Sequence, residues 1–258
     1  WREKIYGFLA QGWQGTNRQW RHYVAAYVFL AGLATPLVIS VHSIVSWDFA
    51  MSVVPGWHTT IFPPYFVAGA IHSGLAMVIT ILIPMRRLFS LDSYITQEHL
   101  GNMAKLMILT GMLLGYSYAI EFFVAWYSGN PFEREIFFWR AFGHYAWALW
   151  LLVACNVGVP LLYFNKRIRE STPWLVVLSL LVNVGMFFER FVIIVTSLAR
   201  EFDPFSWGLY LPRWPEISIF FGSFAWFFLL IMIFAKLFPV ISMWEVKELL
   251  PLPRRKPR

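Results

Sequence analysis

"HYVAAYVFLAGLATPLVISVHSIVSW", residues 22–47, contains no Asp, Glu, Lys or Arg. About 20 apolar residues in a helix cross the roughly 30 Å hydrocarbon core of a bilayer. This run is long enough, and five more follow at about 62–85, 104–128, 137–164, 173–199 and 216–238. Pro63 and Pro64 open the second, Pro173 the fifth, and Pro215 precedes the sixth. Proline suits a first helical turn, where its missing N–H is not needed. Broken spans and internal repeats are not evident. The expected fold class is all-α: a polytopic integral membrane bundle of about six transmembrane helices.

Composition agrees. The 258 residues are 59% hydrophobic and only 14% charged, against about 25% charged in soluble domains. So little polar surface cannot cover a globule in water. Long continuous runs also argue against a β-barrel, whose strands alternate in short segments. The net charge of +7 comes from Lys and Arg that flank apolar runs. That is the pattern of membrane edges, with lipids as partners and no nucleic acid.

One side of the expected spans holds Arg2, Lys4, Arg18, Arg21, Arg86, Arg87, Lys105, Lys166, Arg167, Arg169, Lys247, Arg254, Arg255, Lys256 and Arg258. The other holds Arg134, Arg140, Arg200 and Arg213. The positive-inside rule then puts both ends of the sequence in the cytoplasm and loops 48–61, 129–136 and 200–215 outside. The single Cys155 allows no disulfide and no Cys-held iron–sulfur cluster, and no Cys-x-x-Cys-His is present.

Ionisable groups inside spans are costly and mark cavities, partners or proton relays. His42 ends the first span and His72 lies in the second. Glu121 is in the third, His144 in the fourth, and Glu189 and Arg190 are in the fifth. Their bland readings are a packing role for His72 and a structural Glu121–Arg190 ion pair. Adjacent Glu189 and Arg190 diverge by about 100° on a helix, so each is expected to need a partner on another helix. The sharper reading is a proton path linking Glu121, Glu189, Arg190, His72 and His144 through water. Gly111 and Gly115 form a Gly-x-x-x-Gly, which suggests close helix contact. Asp48 follows Trp47 at the outer end of the first span. It starts the outer loop if the helix ends there, and it is then either a proton acceptor or a carboxylate satisfied by backbone N–H groups. Histidines 42, 72 and 144 also admit a b-type haem reading, and polytopic architecture alone admits a secondary transporter.

Three long stretches carry a resemblance. They are "WRHYVAAYVFLAGLATPLVISVHSIVSWDFAMSVVPGWHTTIFPPYFVAGAI" (20–71), "EFFVAWYSGNPFE" (121–133) with "RAFGHYAWALWLLVACNV" (140–157), and "NVGMFFERFVIIVTSL" (183–198). They resemble the NrfD/polysulfide-reductase family of membrane subunits, most closely its members in bacterial alternative complex III. The resemblance runs over about residues 1–215. It implies a subunit of the bacterial plasma membrane that oxidises a quinol such as menaquinol near the outer face and binds no haem or metal itself. It implies an iron–sulfur partner subunit at that face, c-type haem subunits beyond it, and a homologous membrane subunit alongside. Asp48, in the Ser-x-Asp-Phe motif, is the implied quinol-site acid. His42 joins it in catalysis, with His58 and Trp47 at the quinol. Family chains have about ten spans in two four-helix bundles, with further quinol-site residues on early helices. The sequence, which begins with Trp1, is therefore expected to be a C-terminal portion of a longer chain, forming a single transmembrane domain over residues 1–258.

Overall fold

A computed structural model describes residues 1–238, 240 and 242. Lys247, Arg254, Arg255, Lys256 and Arg258, five of the residues counted for orientation, lie outside the described residues. In chain order the helices are α1 (Arg2–Leu9), α2 (Asn17–Ala50), α3 (Phe62–Leu88), α4 (Gln97–Tyr127), α5 (Pro131–Phe142) and α6 (Ala146–Val153). After a π-helical turn (Ala154–Gly158) come α7 (Val159–Leu162), α8 (Lys166–Arg169) and α9 (Thr172–Phe191). A second π turn (Val192–Thr196) and a short 3₁₀ turn (Pro204–Ser206) lead to α10 (Trp214–Leu237). No strand occurs among the described residues.

Local chemistry sets the starts. At α2 the Thr16 hydroxyl accepts from the Gln19 amide N–H, and Gln19 Oε1 accepts from the Thr16 N–H. This reciprocal cap satisfies donors that a first turn leaves free. Prolines stand in the first turns of α3, α5, α9 and α10. Five helices, α2, α3, α4, α9 with its π turn, and α10, are long and apolar enough to cross a membrane. The pair α5 and α6–α7 makes a sixth if counted as one broken span. The chain is thus a multi-pass helical membrane protein.

The fourth expected span, 137–164, is not continuous. Asn130 caps α5, accepting from the Phe132 N–H at 3.0 Å, so this helix begins before the apolar run does. It stops at Gly143, and the chain turns by 76° into α6. A Cβ on Gly143 would lie 2.3 Å from Trp139 Cδ1, so only glycine permits this tight return. The expectation of unbroken spans is corrected accordingly.

Helices α3, α4, α6–α7 and α9 form the bundle, with α3 packed on α2, α4 and α9. Its apolar centre includes Phe62, Ile79, Leu100, Met107, Leu114, Leu175 and Val182, all inaccessible. Helix α4 meets the first π turn and α7 through Gly111 and Gly115. A Cβ on Gly111 would fall 2.8 Å from Pro160 Cβ, and one on Gly115 would fall 3.0 Å from Val157. Small residues at such contacts let backbones approach where lipid offers no hydrophobic drive. In contrast, the most apolar stretches of α2 and α10 are not buried at all. Helix α10 touches α9 through Phe220 on Phe187.

Gly111→Val forces α4 away from Pro160, an overpacking that costs about 1–3 kcal/mol. A lower thermal unfolding midpoint in detergent is expected, with the α-helical signal retained at low temperature. An unchanged midpoint would show that this contact does not position α4.

Candidate functional site

The polar residues inside the bundle converge on one guanidinium. Arg140, near the end of α5, is 2% exposed. Its Nε donates to Thr196 Oγ1 at 2.8 Å and its Nη1 to Glu121 Oε1 at 3.0 Å. Its Nη2 donates to the Gly56 carbonyl at 3.2 Å and to Ser197 Oγ at 2.6 Å. The guanidinium also sits 4.7 Å from the Phe137 ring. A charge in such a place is tolerated only when paired and hydrogen-bonded, and here every terminal nitrogen is engaged.

Gly56 carries the network outward. Its φ of +83° turns both its N–H and its carbonyl inward, a conformation that side chains disfavour. Its N–H faces both oxygens of Glu133 at 3.0 Å. The same carboxylate pairs with His58 Nδ1 at 3.3 Å. Glu133 is buried, whereas the His58 side chain is 45% exposed. The order His58, Glu133, Gly56, Arg140, Glu121 therefore runs from surface to interior.

Beyond Glu121 lies a half-open cavity of about 430 Å³. Its polar end is formed by Tyr65, Tyr118, Glu121, Arg140 and Glu189. Tyr118 donates to Glu189 Oε2 at 2.5 Å and accepts from Asn156 Nδ2 at 2.9 Å. Glu189 is 1% exposed, and its Oε1 has no hydrogen-bond partner among the described residues. Asn156 sits in the first π turn and Thr196 in the second. Such turns insert an extra residue, so they redirect side chains, and they recur at functional sites.

The residues singled out from the sequence distribute unevenly over this arrangement. Glu121 and Glu189 line the cavity, and His58 ends the network. Arg190 lies at its edge. It stacks 4.3 Å over Phe66, and its Nη2 reaches back to 3.4 Å from Glu189. Two expectations are corrected here. The partner of Glu121 is Arg140, not Arg190. Neighbouring Glu189 and Arg190 do meet, because the long arginine side chain folds back despite the helical divergence. His72 is buried and bonds Thr110 Oγ1 at 2.8 Å, and among the described residues no bond joins it to the network. His144 is exposed in the α5–α6 turn, edge-on to Tyr145. His42 Nδ1 lies 2.7 Å from the Val38 carbonyl.

Asp48 does not start the loop. Helix α2 continues to Ala50, so Asp48 and Trp47 stand exposed in its last turns. On that continuous helix Asp48 points about 120° from His42. Asp48 makes no hydrogen bond or ion pair among the described residues, so the alternative of backbone satisfaction is not realised. Next to it, Phe49 packs on Trp57 and Phe66, and Trp57 Nε1 donates to the Ile193 carbonyl at 2.7 Å. The end of α2 and the loop carrying Gly56 are thereby tied to the bundle.

Sequence reading missed Arg140, Glu133, Tyr65, Tyr118 and Asn156. The available signal was Arg140 within "IFFWRAF", an arginine with apolar residues on both sides.

The comparisons with known proteins agree with this architecture. Residues 9–200 match the family described as "Polysulphide reductase, NrfD", and the chain belongs to it. It is similar to the Hdr-like menaquinol oxidoreductase integral membrane subunit of Archaeoglobus fulgidus, with 27% identity over 173 residues, 65% of this chain and 42% of that one. It is also similar to a Halobacterium salinarum protein described provisionally as a membrane subunit of dimethyl sulfoxide reductase, with 26% identity over 65% of this chain and 38% of that one. The chain thus spans about two fifths of the length of these curated relatives.

Arg140→Met leaves Glu121 buried without its cation, at a cost of about 3–5 kcal/mol. Thermal unfolding in detergent should show this loss, and the double variant Arg140→Met/Glu121→Gln should recover part of it. Additive losses would mean that the two side chains are not coupled.

Proposed function

We propose that this chain is the quinol-binding and quinol-oxidising membrane subunit of a respiratory or photosynthetic quinol:electron-acceptor oxidoreductase of the alternative complex III type. The substrate is a menaquinol-class molecule, and the chain acts within a complex. Family membership supports this reading, as does the similarity to a relative named as a menaquinol oxidoreductase membrane subunit. The observation that carries it is the polar chain from half-exposed His58 to buried Glu121, which ends at the cavity that Glu189 also lines. It begins in the loop that follows α2, whose last turns carry Asp48.

In this mechanism Asp48 accepts a hydroxyl proton from the quinol. Its carboxylate is exposed and unpaired at the end of an apolar helix, where a membrane-soluble molecule can reach it. Trp47 and His58 stand at the quinol, and His42 and His58 hold or relay the released proton, His58 towards Glu133. Electrons leave for an iron–sulfur subunit at the outer face and then for c-type haem subunits, with a homologous membrane subunit alongside. The fifteen-to-four bias in basic residues supports a bacterial plasma membrane orientation with Asp48 outside. The Glu133–Arg140–Glu121 chain either conducts protons or locks helices together, and the acid inside it separates the two.

Asp48→Asn keeps the shape but removes the base. Quinol oxidation by the assembled complex should fall at least about tenfold, and full activity would refute the role. Glu121→Gln should lower proton release per electron with the complex intact. Loss of the assembled complex instead would assign Glu121 to helix locking.

A further inference from the structure

At the end of the bundle opposite Glu121, positive charge gathers where α8 meets α4. Helix α8, Lys-Arg-Ile-Arg in sequence, lies against the start of α4. Arg169 passes over Gly101, its Cγ 4.0 Å from where a Cβ of that glycine would stand. Its Nη1 donates to the Tyr163 carbonyl at 2.9 Å, which holds the guanidinium between the end of α7 and α4. Lys105 follows Gly101 by one turn, about 40° round the same helix. The Nζ of Lys105 meets only the neutral Asn102 Oδ1, at 3.0 Å. Arg167 is exposed, and its side chain makes no hydrogen bond or ion pair among the described residues. Lys166 alone has an acid, Glu170 at 3.6 Å. Glu98 is exposed on the same stripe of α4, about 10 Å along the axis from Lys105, and among the described residues it pairs with none of these cations. Lys105, Arg167 and Arg169 therefore share one surface without a counter-charge.

The depth of this surface specifies its occupant. Helix α4 has 31 residues. It is about 46 Å long, against a hydrocarbon core of about 30 Å. Its first turns therefore stand among head groups, and Lys105 lies where they give way to the apolar run. Beyond it, Leu106, Leu109 and Met112 are more than half exposed on the lipid side of α4, and Leu161 and Phe164 are exposed on the neighbouring α7. A basic surface that runs straight into an apolar stripe fits an amphiphile. A free anion or an acidic soluble segment would leave the stripe uncovered. The head must be negative without a cation of its own, because a choline or ethanolamine ammonium would be repelled by the same three cations. Basic surfaces at the membrane edge recognise anionic heads on this ground.

We propose that Lys105, Arg167 and Arg169 form a binding site for the phosphate head of an anionic phospholipid, whose acyl chains lie along Leu106, Leu109 and Met112. The bound phosphate joins α8 to α4 and relieves the repulsion among the three cations. The site is about 24 Å from Glu121 along α4 and stands independently of the quinol reading.

In the test, the protein is purified with the subunits that accompany it and reconstituted in phosphatidylcholine bilayers. Trace phosphatidylglycerol or phosphatidylcholine carries a diazirine on one acyl chain, and the label is located by peptide mass after photolysis. The α4 peptide around 106–112 should be labelled roughly fivefold or more in favour of phosphatidylglycerol. Lys105→Gln and Arg167→Gln, both at exposed positions, should each lower that labelling about fivefold. Phosphatidylcholine labelling and the helical signal should not change. Arg18→Gln removes one charge from α2, which packs on α3, and should have no effect. High salt should erase the preference in the unaltered protein. Equal labelling by both probes, phosphatidylglycerol labelling that survives the double variant, or an equal loss in Arg18→Gln would overturn the proposal. So would inorganic phosphate competing as well as unlabelled phosphatidylglycerol, since the surface would then take a free anion and not a lipid.

Discussion

The burial of one guanidinium organises this protein. Arginine carries five N–H donors in a rigid fork and cannot shed its charge. In a bilayer each of those donors needs an acceptor from protein. Arg140 takes its acceptors from the loop before α3, from α4, and from the end of α9. One side chain therefore fixes three segments against α5. The attraction to Glu121 offsets desolvation because hydrogen bonds from all three guanidinium nitrogens accompany it. Remove one acceptor and the remainder hold a charge they were not built to hold alone.

The two π turns bring polar side chains into the bundle. An unbroken α-helix would carry its side chains round in a fixed step of about 100°. The extra residue in each π turn shifts that phase. In the first, it places Asn156 against Tyr118, close enough to Gly185 that no larger residue fits there without movement. In the second, it places Thr196 and the following Ser197 on Arg140. The cavity and the network thus share a cause: helices that depart from regularity where polar groups must meet.

Which of this was legible follows from the range of each interaction. Continuous apolar runs announce spans because insertion depends on length and composition, both local properties. Thus the segments around 62–85, 104–128 and 216–238 could be read directly, and so could the Gly111–Gly115 contact, which needs only a spacing. The bend at Gly143 could not, because a glycine among Phe, His and Tyr reads the same in a straight helix. Arg140 and Glu133 read as edge charges, since hydropathy alone does not separate a charge at the rim from one folded back under it. Tyr65 fits an aromatic belt at the membrane edge, and nothing in the sequence marks Tyr118. Their role depends on Glu189, more than 70 residues later in the chain than Tyr118, and no periodicity encodes such a pairing. Asp48 was visible as a motif, but the helix continuing to Ala50 was not.

The chain order of Arg140's partners has a consequence for biogenesis. Gly56 and Glu121 precede it in the sequence, while Thr196 and Ser197 follow more than 50 residues later. During synthesis α5 emerges before half of its acceptors exist. A 12-residue segment carrying Glu133, Arg134, Glu135 and Arg140 is too short and too charged to cross the bilayer by itself. Its guanidinium therefore cannot gain its full set of partners until α9 and its π turn are in place. The 76° bend sets this segment apart from α6, so the two need not enter the bundle together. The chemistry of one side chain thus ties completion of this charged segment to the last-made part of the bundle around it.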